Sequence, residues 1–397
     1  MPSNSLSFFV EINNTDFIFT VGDKNEKDNL KVIHKCIVPI QGIENYRIVN
    51  YDLVFKEIKK NIYLIEQKLN VTFKELILII NNFNFSFLNL TGFKKLNGSQ
   101  ILKENISYII NSIKSNIDET ENKKTILHIF NSKYYLDKKK IENLPIGLFG
   151  DFYCHELSFC LINNNAYKNL NNIFNECNLK IKKILIKSFV EGARISNQNE
   201  NLNTFFQIKI DENNSQIFYF ENDSLKFEEK FNFGSNLVIK DIAKITSLKV
   251  DLIKKIINNA KFSREVSENE FVEKELFENE NYVKIKKKLI LKIAEARIQE
   301  LAEIMITKNV NLSSYVKQNK EIFLTIYNKS HYNFFKESYK FYFSYNNNLT
   351  PIFIDSIATE DLINYAYNIV HFGWRKEAIP VTNIKKSFLA KVFNIFG

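Results

Sequence analysis

One strand–turn–strand pattern occurs twice in this chain, and it constrains the fold more than any other feature. The stretch Phe8-Phe9-Val10-Glu11-Ile12-Asn13-Asn14-Thr15-Asp16-Phe17-Ile18-Phe19 is echoed by Phe206-Gln207-Ile208-Lys209-Ile210-Asp211-Glu212-Asn213-Asn214-Ser215-Gln216-Ile217-Phe218. In both, apolar β-formers flank a polar Asn-Asn turn, which reads as a β-hairpin. Each hairpin is followed by a third strand, expected at 32–38 and 226–233, and then by a helix. A repeated order of elements points to one supersecondary plan used twice. Strands that alternate with helices in this way form mixed α/β layers, so a duplicated α/β fold is expected.

The stretches between the hairpins fill out this plan. Val54, Ile58, Ile62, Ile65 and Leu69 recur at helical spacing over 52–69, and an apolar strand follows at 76–80. A segment with its own rhythm comes next: a strand at 83–90, a helix at 99–113, strands at 125–130 and 134–136, a turn-rich stretch at 143–150 and a strand at 153–162. A charged spacer at 116–124 interrupts it. This reads as a small inserted subdomain with one helix on a sheet. The chain resumes with a helix at 166–175 and a strand at 184–187. After the second hairpin come helices at 239–245 and 251–258, a glutamate-rich loop at 264–281, a long helix at 283–308, a strand at 322–327, and helices at 332–339 and 360–371. The glutamate-rich loop reads as a solvated connection.

Composition excludes several function classes. At 397 residues with 45% apolar content the chain is long enough for two or three domains and is not a disordered one. The net charge of +9 comes from dispersed lysines and not from a basic block, so no nucleic-acid partner is expected. Cys36, Cys154, Cys160 and Cys177 lack C-x-x-C spacing, and the five histidines never pair at i, i+4, so neither a disulfide framework nor a zinc site is expected. Uninterrupted apolar runs such as 76–80 are too short to span a bilayer.

The stretch 383–396 behaves differently. Ile384, Phe388, Leu389, Val392, Phe393, Ile395 and Phe396 fall on one half of a helical wheel, with Lys386 and Lys391 at its borders and Lys385 projecting from the apolar arc. Thr382 or Asn383 can cap this helix, and Pro380 separates it from what precedes. Two readings are open, a helix docked on the protein's own core and a helix lying in a membrane interface, with Lys385 snorkelling to the phosphates. A helix this short is marginal in water and needs a surface to fold against.

Several motifs together resemble the bacterial cell-division protein FtsA, a member of the actin/Hsp70-like superfamily. Leu127-His128-Ile129-Phe130 through Tyr134, Leu136-Asp137, Asn143, Pro145-Ile146-Gly147-Leu148 and Gly150 are similar to that family's L-H-V-I…Y-x-[VI]-D…N-P-x-G-[ML]-x-G signature. Cys177-Asn178-Leu179 looks like its C-G-L step, and Glu295-Ala296-Arg297-Ile298-Gln299-Glu300 like its E-P-R-x-x-E helix. The resemblance implies a duplicated actin-like (ribonuclease H-like) fold: a first half from 1–81, 163–189 and 356–376, an SHS2-type α+β subdomain inserted at 82–162, a second half at 190–355, a linker at 377–382 and a membrane-targeting helix at 383–397. It also implies a division scaffold that forms filaments, binds an anionic membrane and the C-terminal peptide of the tubulin-like protein FtsZ, and recruits later division proteins through the insert. Its place would be peripheral, on the cytoplasmic face of the inner membrane at the division site. Arg297 matches a residue associated with the FtsZ contact.

The segments that match the family's nucleotide site depart from its pattern. Glycine turns there let backbone N–H groups approach phosphates with no Cβ in the way. Here D-x-G-[TS] becomes Glu11-Ile12-Asn13-Asn14, and D-I-G-G-G-T-x-D becomes the stretch from Lys209 to Gln216, so that Asp211, Asn213 and Asn214 replace glycine or threonine. L-T-G-G becomes Leu324-Thr325-Ile326-Tyr327, and Glu300 matches a carboxylate near the nucleoside. ATP and Mg²⁺ are therefore not expected cofactors, and no catalytic residue is expected. The alternatives are an active actin-like ATPase using Glu11, and a pilus-assembly or other adaptor of the same fold.

Overall fold

A computed structural model describes residues 6–24, 29–81, 83–260, 262, 267–278, 280–312, 321–347 and 351–378. The expected helix at 383–397 lies outside the described residues. The described chain divides into two compact units. The first holds the residues up to Glu200, the short stretch Glu221–Lys226 and the chain from Thr359 onward; the second holds Asn201–Phe220 and Phe227–Ala358.

In the first unit β1 (Leu6–Ile12), β2 (Asp16–Lys24) and β3 (Leu30–Pro39) run antiparallel. A two-stranded ribbon, β4 (Ile43–Glu44) with β5 (Arg47–Ile48), leads into α1 (Tyr51–Leu69). The Asn50 side chain caps α1 by accepting from the Leu53 N–H. Asn70 closes it in a left-handed conformation, φ 50°, which asparagine tolerates better than most residues. β6 (Glu75–Ile80) then lies parallel to β1. α1 turns Val54, Ile58, Ile62 and Ile65 onto the sheet, where they meet Phe8, Val10, Ile12, Phe17, Phe19 and Val21 in one buried core.

The inserted segment is a separate sheet. β7 (Phe85–Lys95) leads to α2 (Lys103–Thr120), followed by β8 (Lys124–Leu136), β9 (Lys139–Ile141) and β10 (Phe152–Asn163) in the order β7-β10-β8-β9. α2 lays Ile106, Ile109, Ile110, Ile113 and Ile117 on one face. The approach is close: a Cβ on Gly92 would stand 2.4 Å from Ile109 Cγ2. Two expectations are corrected here. The helix expected at 99–113 begins at Lys103, because the backbone of Ile101 is exchanged with Gly147 and Leu148, and its C-terminal end takes up part of the charged spacer. The strands expected at 125–130 and 134–136 are one strand, since register shifts at Glu156/Leu157 and Cys160/Leu161 break the alternation without ending the pairing.

α3 (Asn164–Glu176), β11 (Lys180–Ile186) and α4 (Lys187–Gln198) complete this part, giving a five-stranded sheet ordered β11-β6-β1-β2-β3. The boundary expected at 190 falls inside α4, and the unit changes after Glu200.

The second sheet repeats the plan. β12 (Phe205–Ile210), β13 (Ser215–Glu221) and β14 (Ser224–Phe231) are followed by α5 (Ser235–Thr246), α6 (Val250–Asn259), α7 (Lys287–Ala302), β15 (Glu321–Ile326), α8 (Tyr332–Asn347) and β16 (Ile352–Phe353). The order is β14-β13-β12-β15-β16, with β15 parallel to β12 and β16 parallel to β15. In each sheet the first strand is central, the second and third follow on one side, and the fourth and fifth on the other. The duplicated α/β fold expected from the repeat is thus present. The helix expected at 283–308 starts only at Lys287, because Lys286 bridges to Phe271, and its end widens into a π turn at Glu303–Thr307. α9 (Thr359–Phe372) returns to the first unit.

Candidate functional site

The first hairpin places Glu11 on β1 with its side chain buried, 4% exposed, and paired with Lys187 at the start of α4 (Nζ to Oε1, 2.7 Å). Asn13 and Asn14 form the turn. The Asn13 N–H donates to the Asp16 carbonyl (2.9 Å), the Asn14 N–H to Asn13 Oδ1 (2.8 Å), and Asn81 Nδ2 donates to Asn14 Oδ1 (3.3 Å). Neither asparagine has positive φ. The backbone of this turn does not require glycine.

The second hairpin closes in the same way. The Asp211 N–H donates to the Asn214 carbonyl (2.9 Å) and the Glu212 N–H to Asp211 Oδ1 (2.8 Å), while Asn213 Oδ1 accepts from Asn236 Nδ2 (3.1 Å). None of residues 211–214 has positive φ. The N-terminal N–H groups of α5, which could otherwise receive an anion, donate instead to this turn: Ser235 to the Asp211 carbonyl (2.9 Å) and Asn236 to the Glu212 carbonyl (2.8 Å). Gly234 makes the contact possible, since a Cβ there would stand 2.2 Å from the Asp211 carbonyl oxygen.

Charge at the strand ends points the same way. Lys209 is buried, with its ammonium 4.7 Å from the centre of the Phe218 ring. Burial pulls the Lys230 ammonium below its ordinary range; Glu228 opposes the fall and Lys209 adds to it. Mg²⁺ takes oxygen ligands, whereas the position matching a metal-side aspartate carries an ammonium group. Thr325 is buried opposite Lys209 on β15, and the next residues bring Tyr327, 37% exposed, beside the turn through its N–H to the Ile210 carbonyl (2.9 Å). In the first turn the N–H groups of Asn13 and Asn14 are engaged, and in the second those of Asp211 and Glu212, with the Tyr327 ring beside the second turn.

Arg297 and Glu300 lie one turn apart on α7 and are joined to each other (Nη1 to Oε2, 2.6 Å), while Arg297 Nε is held by Asp241 of α5. On another part of α7, a cavity of about 280 Å³ between α7 and α8 is lined by Phe262, Leu291, Glu295, Phe334, Glu337 and Phe341. Among the described residues no cluster of His, Cys, Asp and Glu could hold a metal ion, and no helix is long and apolar enough to cross a membrane.

Two features carry no signal at their positions in the sequence. Lys187 stands 176 residues from Glu11, and only the fold brings them together. The second is the root of the terminal segment. Residues 377 and 378, expected to open a linker, are bonded to β8 instead: the Ala378 N–H donates to the Ile129 carbonyl (2.7 Å) and the Asn131 N–H to the Lys376 carbonyl (2.6 Å). Glu377 meets His128 Nδ1 at 2.8 Å and Lys183 Nζ at 2.6 Å. Burial alone would raise the Glu377 carboxyl, but these partners hold it below the usual range. Trp374 Nε1 and Arg375 Nη2 donate to the Asp223 carbonyl and carboxylate at 2.9 and 2.7 Å. The described chain therefore ends pinned to the inserted sheet.

No protein-family model matches the chain. It is similar to "Cell division protein FtsA" of Buchnera aphidicola subsp. Schizaphis graminum, 22% identical over 75% of this chain and 71% of that protein. It is likewise similar to the protein of that name from Buchnera aphidicola subsp. Baizongia pistaciae, 22% identical over 79% of this chain and 74% of the other. The resemblance read from the motifs is met again in these relatives. Similar solved structures include the PilM–PilN type IV pilus biogenesis complex (8% identity, 92% of this chain and 96% of that one, TM-score 0.49). Another is MreB 5 of Spiroplasma citri bound to AMPPNP (11% identity, 94% and 97%, TM-score 0.43).

Proposed function

We propose that this chain is a cell-division scaffold that tethers FtsZ to the cytoplasmic face of the inner membrane, at the division site, without a nucleotide switch. The observation that carries the reading is the likeness to FtsA proteins over as much as 79% of the chain. The amphipathic segment at 383–397 is the anchor, with Ile384, Phe388, Leu389, Val392, Phe393, Ile395 and Phe396 in the acyl boundary and Lys385, Lys386 and Lys391 at the phosphates. Three lysines contribute about 1 kcal/mol each near anionic lipid, so one copy binds reversibly. Self-assembly into filaments, which places many copies side by side, multiplies this weak contact.

The engaged N–H groups of Asn13, Asn14, Asp211 and Glu212 and the ammonium of Lys209 support the absence of ATP from this cycle. For the FtsZ peptide, the α7–α8 cavity offers an apolar floor with Glu295 and Glu337 at its wall, which suits a peptide with an apolar anchor and a basic neighbour. The test is co-sedimentation with anionic vesicles, using the full chain and a chain ending at Thr382. The full chain pellets and the shortened one stays in solution; equal binding by both would sink the tether.

A further inference from the structure

The sheet β7-β10-β8-β9 has one face under α2 and a second face that falls into three zones. Nearest α4, Phe130 packs edge-on against Phe189 (4.8 Å between centroids), which in turn meets Trp374 (6.2 Å). The middle zone lies beneath the hairpin tip Glu221–Lys226, which belongs to this same unit. There Glu221 pairs with Lys133 (2.8 Å), Lys226 with Glu156, and Ser224 Oγ donates to the Asn131 carbonyl (2.8 Å). The third zone, farthest along the strands, is bare among the described residues.

The register puts Phe93 and Lys95 of β7, Phe152 and Cys154 of β10, Tyr135 of β8 and Lys140 of β9 on this bare zone. Phe93 and Phe152 stack at 5.5 Å while remaining 65% and 38% exposed. Stacked aromatics this open are unusual on a surface with no partner. No acid occupies these register positions, although Asp151, exposed and next to Phe152 in the chain, lies just outside them. Glu156 is held by Lys226 and Lys133, and Asp137 Oδ1 accepts the N–H groups of Asp151 (2.9 Å) and Phe152 (2.8 Å). The zone is thus apolar at its centre and positive at its border.

We infer that this zone is a docking surface for a partner protein's acidic segment bearing large apolar side chains, seated on the sheet as Glu221–Lys226 sits on the middle zone. The neighbouring zone gives the precedent: the same face already holds a hairpin tip by setting a glutamate on a sheet lysine and laying backbone across the strands. Continued outward, that arrangement places apolar side chains on Phe93 and Phe152 and carboxylates against Lys95 and Lys140. The inference rests on the scaffold reading and gives its recruiting role a place and a chemistry.

The test uses the full chain and two synthetic peptides, one alternating phenylalanine with glutamate and one alternating phenylalanine with lysine, read by fluorescence anisotropy. The acidic peptide should bind at least about tenfold more tightly. K95E/K140E should reverse the order, and F93S/F152S should abolish binding of both with the melting temperature unchanged. The inference is overturned by equal binding of the two peptides, or by no binding up to about 1 mM. It is equally overturned if Phe93 and Phe152 govern pelleting with phosphatidylserine vesicles or self-association in sedimentation. A chain that pellets through its terminal segment yet ignores both peptides keeps the tether and loses this surface; one that selects the acidic peptide but never pellets does the reverse.

Discussion

The loop at 145–150 and the two hairpin turns make an instructive pair, because both match glycine motifs of one family and only the loop carries the glycines. In the loop, Gly147 stands at φ +91°, and a Cβ on Gly150 would come 2.4 Å from Leu136 Cδ1. The positive φ calls for glycine at 147, whereas at 150 the contact is with the movable end of a side chain. In the turns, residues 13–14 and 211–214 all have negative φ, and the N–H groups of Asn13, Asn14, Asp211 and Glu212 are satisfied locally. There the backbone itself does not call for glycine.

The largest test of this contrast is the glycine that the second turn does need. Gly234→Ala drives a methyl into the Asp211 carbonyl and should cost about 3 kcal/mol, measured by denaturant unfolding. A loss under about 0.5 kcal/mol would mean that the turn is not fixed there.

Acid should separate the two regions next. His155 is buried in the inserted sheet, and neither ring nitrogen has a partner among the described residues. Burial lowers its pKa from 6.5 to about 4, with Glu156 opposing and Lys376 assisting. Since the unfolded chain binds this proton first, the stability His155 gives is complete above pH 6.5 and is lost as pH falls toward 4. The loss reaches about 3 kcal/mol, and His155→Leu should shrink the difference between melts at pH 7 and pH 5.

Gly150→Ala presses on the flexible end of Leu136 and not on backbone, so about 2 kcal/mol is expected from the same unfolding measurement. Asn13→Gly should be the mildest change. It relieves no strain and loosens the unfolded chain, so destabilisation of under about 1 kcal/mol is expected.

The same contrast shows what the sequence could reveal. The hairpins, α1 and the repeated order were legible because period-2 and period-3.6 patterns are local and strong in Phe8–Phe19 and Val54–Leu69. β8 read as two strands because its bulges interrupt the period without breaking the ladder. The absence of glycine from the turns was visible residue by residue. What fills the gap was not: Lys187 against Glu11, Gly234 beneath Asp211 and Lys209 on Phe218 depend on contacts that no spacing encodes. The exposed pair Phe93 and Phe152 was equally hidden, since in sequence they look like any core aromatics.

The central claim is that the hairpin turns have kept their shape and lost their ligand. Calorimetric titration of the full chain with Mg-ATP tests it most directly. The account predicts no saturable heat at concentrations up to about 1 mM. Binding at micromolar affinity, abolished by Glu11→Ala or by Asp211→Ala, would contradict it.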